Sequence, residues 1–263
     1  MYAEMHKYPR THHIEGSRLQ PGDEDLDSVR FREIKGKHLV VEEKMDGANA
    51  GISFGPDGEL RLQSRGHYLT GGARERQFHL FKQWASCIAP MLWEVIGTRY
   101  VVYGEWLYAK HTMYYDMLPH YFMEFDILDL ETGHFLSTPE RMGMLDGLPI
   151  VSVAVLHQGK VKSAKLFHDW IETSLFVSPG RDEHFREECE QRKLNLERSW
   201  KGTDRSTDME GLYIKHEEDG IVKGRYKFVR ASFLTAITQS EEHWLDRPII
   251  PNRLAPDVNI FQF

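Results

Sequence analysis

The residues best able to do chemistry begin at Lys44-Met45-Asp46-Gly47, directly after the strand-like run HLVVEEK that starts at His38. A lysine amine is a nucleophile only once it is deprotonated, which an unperturbed lysine at neutral pH is not. By average residue usage a K-x-D-G string arises by chance in roughly one chain in fifteen of this length. Alone, it describes equally well a tight Asp46-Gly47 turn with Lys44 as a solvated strand-end residue. A second candidate is the cluster Lys215, Lys223, Arg225, Lys227 and Arg230, which could meet phosphates. Such a run is more often a solvated strand face. The chain has no GxxxxGK[ST] loop, HExxH or GxSxG, so neither a P-loop grip nor those hydrolytic centres are available.

Positioning these residues falls to strands. After Asp46-Gly47, ANAGISF and ELRLQSR alternate like a hairpin turning at Gly55-Pro56-Asp57-Gly58. The segment from Arg76 to Ile96 has Phe78, Phe81, Ala85, Ile88, Leu92 and Val95 at helical spacing, with Pro90 inside and Gly97 to stop it. RYVVYGEWLY and YFMEFDILDL read as two further strands. Ser137 and Glu140 stand at capping-box spacing, with Pro139 in the first turn of a short helix. PIVSVAVLH reads as one strand, and LFHDWIETSLF and DEHFREECEQRKL as helical stretches. GLYIKHEEDGIVKGRYKFVR reads as a hairpin turning at Glu218-Asp219-Gly220. Antiparallel strand pairs separated by helices predict an α+β fold, not a doubly wound parallel sheet.

The composition bounds the partners. Of 263 residues, 41% are hydrophobic and 28% charged, as in ordinary globular proteins, and no run is long and apolar enough to cross a bilayer. No signal-peptide pattern precedes Lys7, and Cys87 and Cys189 form no CxxC pair, so a cytosolic setting without a disulfide framework is expected. A net charge of -7 argues against a general nucleic-acid coat but not against a basic groove. The opening KYPRTHHIEGSRLQPGDEDLD is polar and turn-rich and predicts an irregular wrap, in which His12 and His13 receive no role.

Taken in order, the motifs resemble the covalent nucleotidyltransferase superfamily, which comprises ATP-dependent DNA and RNA ligases and mRNA-capping enzymes. Lys44-Met45-Asp46-Gly47 resembles its first motif, whose lysine carries the nucleotide. Ser64-Arg65-Gly66 resembles the motif whose arginine lies near the ribose and the reacting ends. Tyr103-Gly104-Glu105 resembles the third motif, with Glu105 in the acidic role. FMEFDIL resembles the strand whose aromatic stacks on the purine; register assigns Phe122 to that role and Phe125 to the core. Glu210-Gly211-Leu212-Tyr213-Ile214-Lys215 resembles the fourth motif, and Arg225-Tyr226-Lys227 the fifth, with arginine where lysine is commoner. The resemblance runs from about residue 40 to 230.

It implies that Lys44 attacks the α-phosphate of ATP, releasing pyrophosphate and keeping AMP as a phosphoramidate. Magnesium or manganese, held by Glu105 and Glu210, would offset phosphoryl charge and, with Arg225 or Lys227, depress the Lys44 pKa. The nucleotide site implied comprises Glu43 at the adenine edge, Asp46, Gly47, Asn49 at the ribose, Arg65, Phe122 and Lys215. Asp46 and Asn49 also have plain turn readings, and Glu43 that of an exposed strand carboxylate.

Among the branches, the RNA ligase 2-like one lacks an OB-fold domain. Here some thirty-odd residues follow Lys227, against roughly seventy for an OB fold. The expected organisation is therefore a nucleotidyltransferase domain over 1–235 and a proline-bearing strap over 236–263. The implied substrate is RNA with 5′-phosphate and 3′-hydroxyl ends, an end-healing kinase or phosphatase being one source of the phosphate. A minimal DNA ligase and a non-sealing module that binds nucleotides or RNA ends are the alternatives.

Overall fold

Strand alternation dominates the chain, and the computed structural model, which describes residues 5–19, 28–233 and 248–263, arranges its strands into two five-stranded sheets. In chain order the strands are β1 (His12–His13), β2 (His38–Lys44), β3 (Ala48–Phe54), β4 (Leu60–Ser64) and β5 (Tyr100–Trp106). They continue as β6 (Phe122–Asp129), β7 (Val151–Ser152), β8 (Val155–Lys160), β9 (Gly211–Glu218) and β10 (Ile221–Val229). One sheet has the order β1-β10-β9-β2-β8 and the other β4-β3-β5-β6-β7. Only the short end strands β1 and β7 pair in parallel; the remaining ladders are antiparallel. The second sheet is thus one continuous stretch, from β3 to β7, nested between strands of the first. The fold is α+β, with no OB fold among the described residues.

The hairpins turn where the residues favour it. Asp219 and Gly220 both adopt positive φ (54° and 78°), the backbone that a two-residue β9–β10 turn demands. Helix α1 (His79–Ile96) buries Phe81, Trp84, Ala85, Ile88 and Leu92 in one core with Ile52, Val102, Trp106 and Phe122 of the second sheet. A 3-10 stretch, Ala73–Phe78, precedes it, so the helix begins later than the apolar spacing predicts. The first sheet packs Leu39, Val41, Leu212, Ile214 and Phe228 against Phe167 of α3 (Lys165–Asp169).

Three local expectations change. The run PIVSVAVLH is two strands, because the chain leaves β7, passes Val153-Ala154 and joins the other sheet as β8. Helix α2 (Thr138–Leu145) forms without the capping box: Thr138 N and Oγ1 both donate to Glu217 Oε1 (2.9 and 2.6 Å), doing from a distant strand what Ser137 was expected to do. After α4 (Arg181–Gln191) comes α5 (Leu196–Lys201), capped by Asn195 Oδ1 accepting from Arg198 N at 2.8 Å. The expected boundary at 235/236 lies outside the described residues. Within 248–263, Asn252 ties the chain down by accepting from Tyr115 N at 2.9 Å and donating to Leu107 O at 2.7 Å.

Candidate functional site

The chain changes sheets within Met45-Asp46-Gly47, and a cavity of about 700 Å³ opens there between the two layers. Lys44, the last residue of β2, keeps 23% of its side chain exposed while donating to the buried Glu210 Oε1 at 2.6 Å. Asp46 accepts from Thr112 N and Met113 N (2.7 and 2.6 Å), and its own N–H donates to Tyr115 Oη at 3.0 Å. The turn behind the lysine is therefore fastened to a separate loop. Gly47 N donates to Glu105 Oε1 at 3.0 Å, and a Cβ on Gly47 would stand 2.7 Å from Trp106 O, so no side chain fits there.

Electrostatics follow from this crowding. Burial alone would lower the Lys44 pKa, but Glu210, Glu105 and Asp46 outweigh it and hold the ammonium above its ordinary value. Burial pushes Glu105 up to about 8; Lys44 opposes that shift, and Glu210 and Asp46 add to it. The carboxylates around Lys44 thus favour its charged form, and the depressed pKa expected of the nucleophile is one that a bound divalent cation would have to bring about.

Among the described residues no three His, Cys, Asp or Glu side chains converge as a ready metal site. Glu105 and Glu210 nevertheless fit a divalent cation, since both carboxylates line the same cavity and Glu210 adds to the cost of charge on Glu105.

Most of the residues singled out in the sequence surround this one cavity: Glu43, Lys44, Asp46, Gly47, Asn49, Arg65, Glu105, Glu210 and Lys227 all line it. Asn49 on β3 stands opposite Glu105 on β5 in the ladder, and Arg65 is an exposed rim residue just past β4. Glu43 is 1% exposed, accepts from Ser174 Oγ (2.5 Å) and Leu175 N (3.3 Å), and is pushed by burial to about 7. It is not an exposed strand carboxylate.

Three residues expected at the nucleotide do not line the cavity. Phe122 is wholly buried, its ring 5.4 Å from both Phe81 and Trp84 and pressed onto Gly104. Of the two phenylalanines of β6, the one that lines the cavity is Phe125. Three positions apart, the two rings face opposite sides of β6, and the side that meets the cavity is the reverse of the one expected; opposite Tyr103-Gly104 the β5–β6 ladder also slips by one residue and leaves Phe125 without a partner. Lys215 is also fully buried, 3.1 Å from both Glu42 Oε2 and Asp126 Oδ1, and it donates to Phe125 O. It braces the strand behind the aromatic. Arg225 lies over the Phe135 ring at 3.8 Å and near Tyr8 and Asp126, and is not among the lining residues.

The basic cluster does not form an open face either. Arg230 pairs with Asp204 at 7% exposure, and Lys227 lies within the cavity wall at 8%. Sequence reasoning missed further lining residues: Tyr8, Pro9 and Thr11 from the N-terminal stretch, Gln77 and Phe78 before α1, and Tyr213 on β9. Of these, Tyr213 had a local signal, standing two strand positions before Lys215 and so on the same face.

A cavity of this size, with an amine, paired carboxylates, cations and aromatic walls, can hold a nucleotide beside a nucleophile. Searched against curated proteins, the sequence finds no match. Among solved structures the fold resembles a Naegleria gruberi RNA ligase mutant with ATP and Mn (17% identity, TM-score 0.51) and another with AMP and Mn (16%, 0.52). Each comparison covers 80% of this chain and 54% of that one, so this chain spans about half the length of those ligases. At such identity the likeness establishes the fold. The RNA ligase family model matches residues 37–229, from the start of β2 to the end of β10, and the chain belongs to that family.

Proposed function

We propose that this protein is an ATP-dependent RNA ligase that joins 5′-phosphate and 3′-hydroxyl ends through a lysyl-AMP intermediate on Lys44. The observation that carries the reading is the Lys44–Glu210 contact, with Glu105 beside it, at the wall of a cavity large enough for a nucleotide. The Lys44 amine attacks the α-phosphorus, the bond to pyrophosphate breaks, and AMP stays on the amine. An oxygen of the RNA 5′-phosphate then attacks the same phosphorus and frees Lys44. Finally the 3′-hydroxyl attacks the 5′-phosphorus, forming the phosphodiester and expelling AMP.

The chain's own residues orient these steps. Glu210 holds the amine at the wall, Asp46 fixes the turn behind it, and Phe125 with Tyr213 offers apolar faces to a base. Lys227 and Arg65 supply positive charge for the phosphates. A divalent cation, magnesium or manganese, bound at Glu105 and Glu210 would offset the charge that keeps Lys44 protonated. The solved Naegleria ligase structures with ATP or AMP and manganese support a nucleotide and a divalent metal as ligands.

Mass spectrometry after incubation with ATP and magnesium should find an AMP-sized increment that Lys44→Ala lacks; an adduct persisting in that variant refutes the assignment. GTP loading equal to ATP loading would favour a capping-type reading. Sealing of a nick with preadenylylated 5′ ends should need ribose at the 3′-hydroxyl side. Equal rates with deoxyribose there would make the protein a DNA ligase. Sealing of neither would leave a nucleotide-binding or RNA-end-binding module.

A further inference from the structure

Residues 6–14 lie ahead of the family match, yet they help to build the cavity. They are fastened at both sides of it. His6 O accepts from Gln63 Nε2 (2.7 Å) and from Tyr103 Oη (2.8 Å), which ties the chain to the second sheet. The Tyr8 hydroxyl donates to Asp126, beside Phe125, and meets the Tyr213 hydroxyl. His12 and His13 then pair with Tyr226 and Lys227 of β10, and Ile14 N donates to Lys227 O at 3.0 Å on the first sheet. The segment is therefore a strap laid from one sheet to the other at the cavity.

Its side chains divide by position. Tyr8, Pro9 and Thr11 line the cavity. Lys7 and Arg10, interleaved with them, are exposed, as are His6 and His12, and no acidic residue occurs between His6 and Ile14. Lys7 follows the carbonyl held by Gln63, and Gln63 is two residues before the exposed cavity residue Arg65. Lys7 and Arg10 are thus exposed cations on the segment that carries lining residues, and Arg65 is an exposed cation of the lining itself, in a chain whose net charge is -7. Of the later basic cluster, Lys215, Lys227 and Arg230 are buried and Arg225 is stacked, while Lys223 is exposed but not among the residues that line the cavity.

We propose that the strap is a polynucleotide-binding element, in which Lys7 and Arg10, with Arg65, hold backbone phosphates of the strand whose end enters the cavity. This rests on the ligase reading for the identity of the strand, but its geometry does not. Such contacts release counterions from the strand, so they register as salt dependence as well as affinity.

The test compares wild-type protein with Lys7→Ala/Arg10→Ala for binding of a fluorescent 5′-phosphorylated oligoribonucleotide across a salt series. AMP loading from ATP, which needs no polynucleotide, is measured on the same samples. Expected are an affinity about 10-fold weaker relative to AMP loading and a log–log salt slope shallower by about 1 to 2. The conservative pair Lys7→Arg/Arg10→Lys should restore both. Unchanged affinity and slope would overturn the proposal and leave the strap as a wall. An equal fall in AMP loading would also overturn it, assigning the cations to ATP or to folding. Wild-type protein that binds RNA through the strap but seals nothing defeats the ligase reading alone. Wild-type protein that seals, with a double variant that binds normally, defeats the strap proposal alone.

Discussion

Lys44 Nζ and Glu210 Oε1 stand 2.6 Å apart, the amine partly open to the cavity and the carboxylate closed off behind it. Lys44 terminates β2, and Glu210 immediately precedes β9 on the neighbouring strand, where Lys44 pairs with Gly211. Glu210 therefore aims the amine by backbone register. Replacing it with glutamine keeps shape and removes charge. Glu210→Gln should lower the rate of AMP loading by about 10²-fold or more, measured by transfer of labelled AMP in single-turnover conditions. A loss of less than about threefold would show that register alone aims the lysine.

Phe125 and Phe122 separate a binding role from a packing role. Phe125→Ala should weaken nucleotide binding by about 1–3 kcal/mol, read by ATP titration in a Lys44→Ala background that prevents turnover. Phe122→Ala should instead cost about 3–5 kcal/mol of folding stability in urea unfolding. The reverse pattern would return the base to Phe122.

The buried Glu43 makes stability depend on pH. Its carboxyl titrates near 4.5 when free and at about 7 when folded, because burial disfavours its charge. Its contribution is fully present below 4.5 and is lost as pH rises through 7. Glu43→Gln does not titrate, so its stability relative to wild type should climb between those values and level off above about pH 8, by on the order of 3 kcal/mol. Parallel melting curves for the two proteins across pH would contradict the burial cost.

Arg141 joins the layers, since its guanidinium pairs with Glu42 on β2 and with Glu124 on β6, all three fully buried. Arg141→Leu strands both carboxylates without their shared partner and should cost about 3–5 kcal/mol in urea unfolding. Restoring stability by adding Glu42→Gln and Glu124→Gln would show that unpaired charge, not lost packing, is the cause.

Legibility in the sequence tracked locality. Lys44, Asp46, Glu105 and Glu210 were readable because each stands at a strand end or beside a glycine, so a short string carries its position. Phe125 was not, since alternation sets Phe122 and Phe125 on opposite faces of β6 without saying which face α1 covers and which meets the cavity; that is decided by packing between distant elements. The β7–β8 break was hidden because Val153 and Ala154 are apolar like the strands they separate; Val153 packs between the sheets, where a connecting segment is usually polar. Tyr8 was invisible for a related reason: its partners, Asp126 and Tyr213, are far along the chain and leave no local trace.

The nesting of one sheet inside the other gives the cleft a mechanical character. The chain enters the nested layer through Met45-Asp46-Gly47 and leaves it through Val153-Ala154; Met45, Asp46, Gly47 and Val153 all line the cavity. The nucleophile adjoins the first of these crossings, and Glu105 is bonded to Gly47 within it. With the strap of residues 6–14 tied to both sheets and Arg141 pairing β2 with β6, the crossings act as seams of one clamp, and the reactive groups sit where the two layers are sewn together.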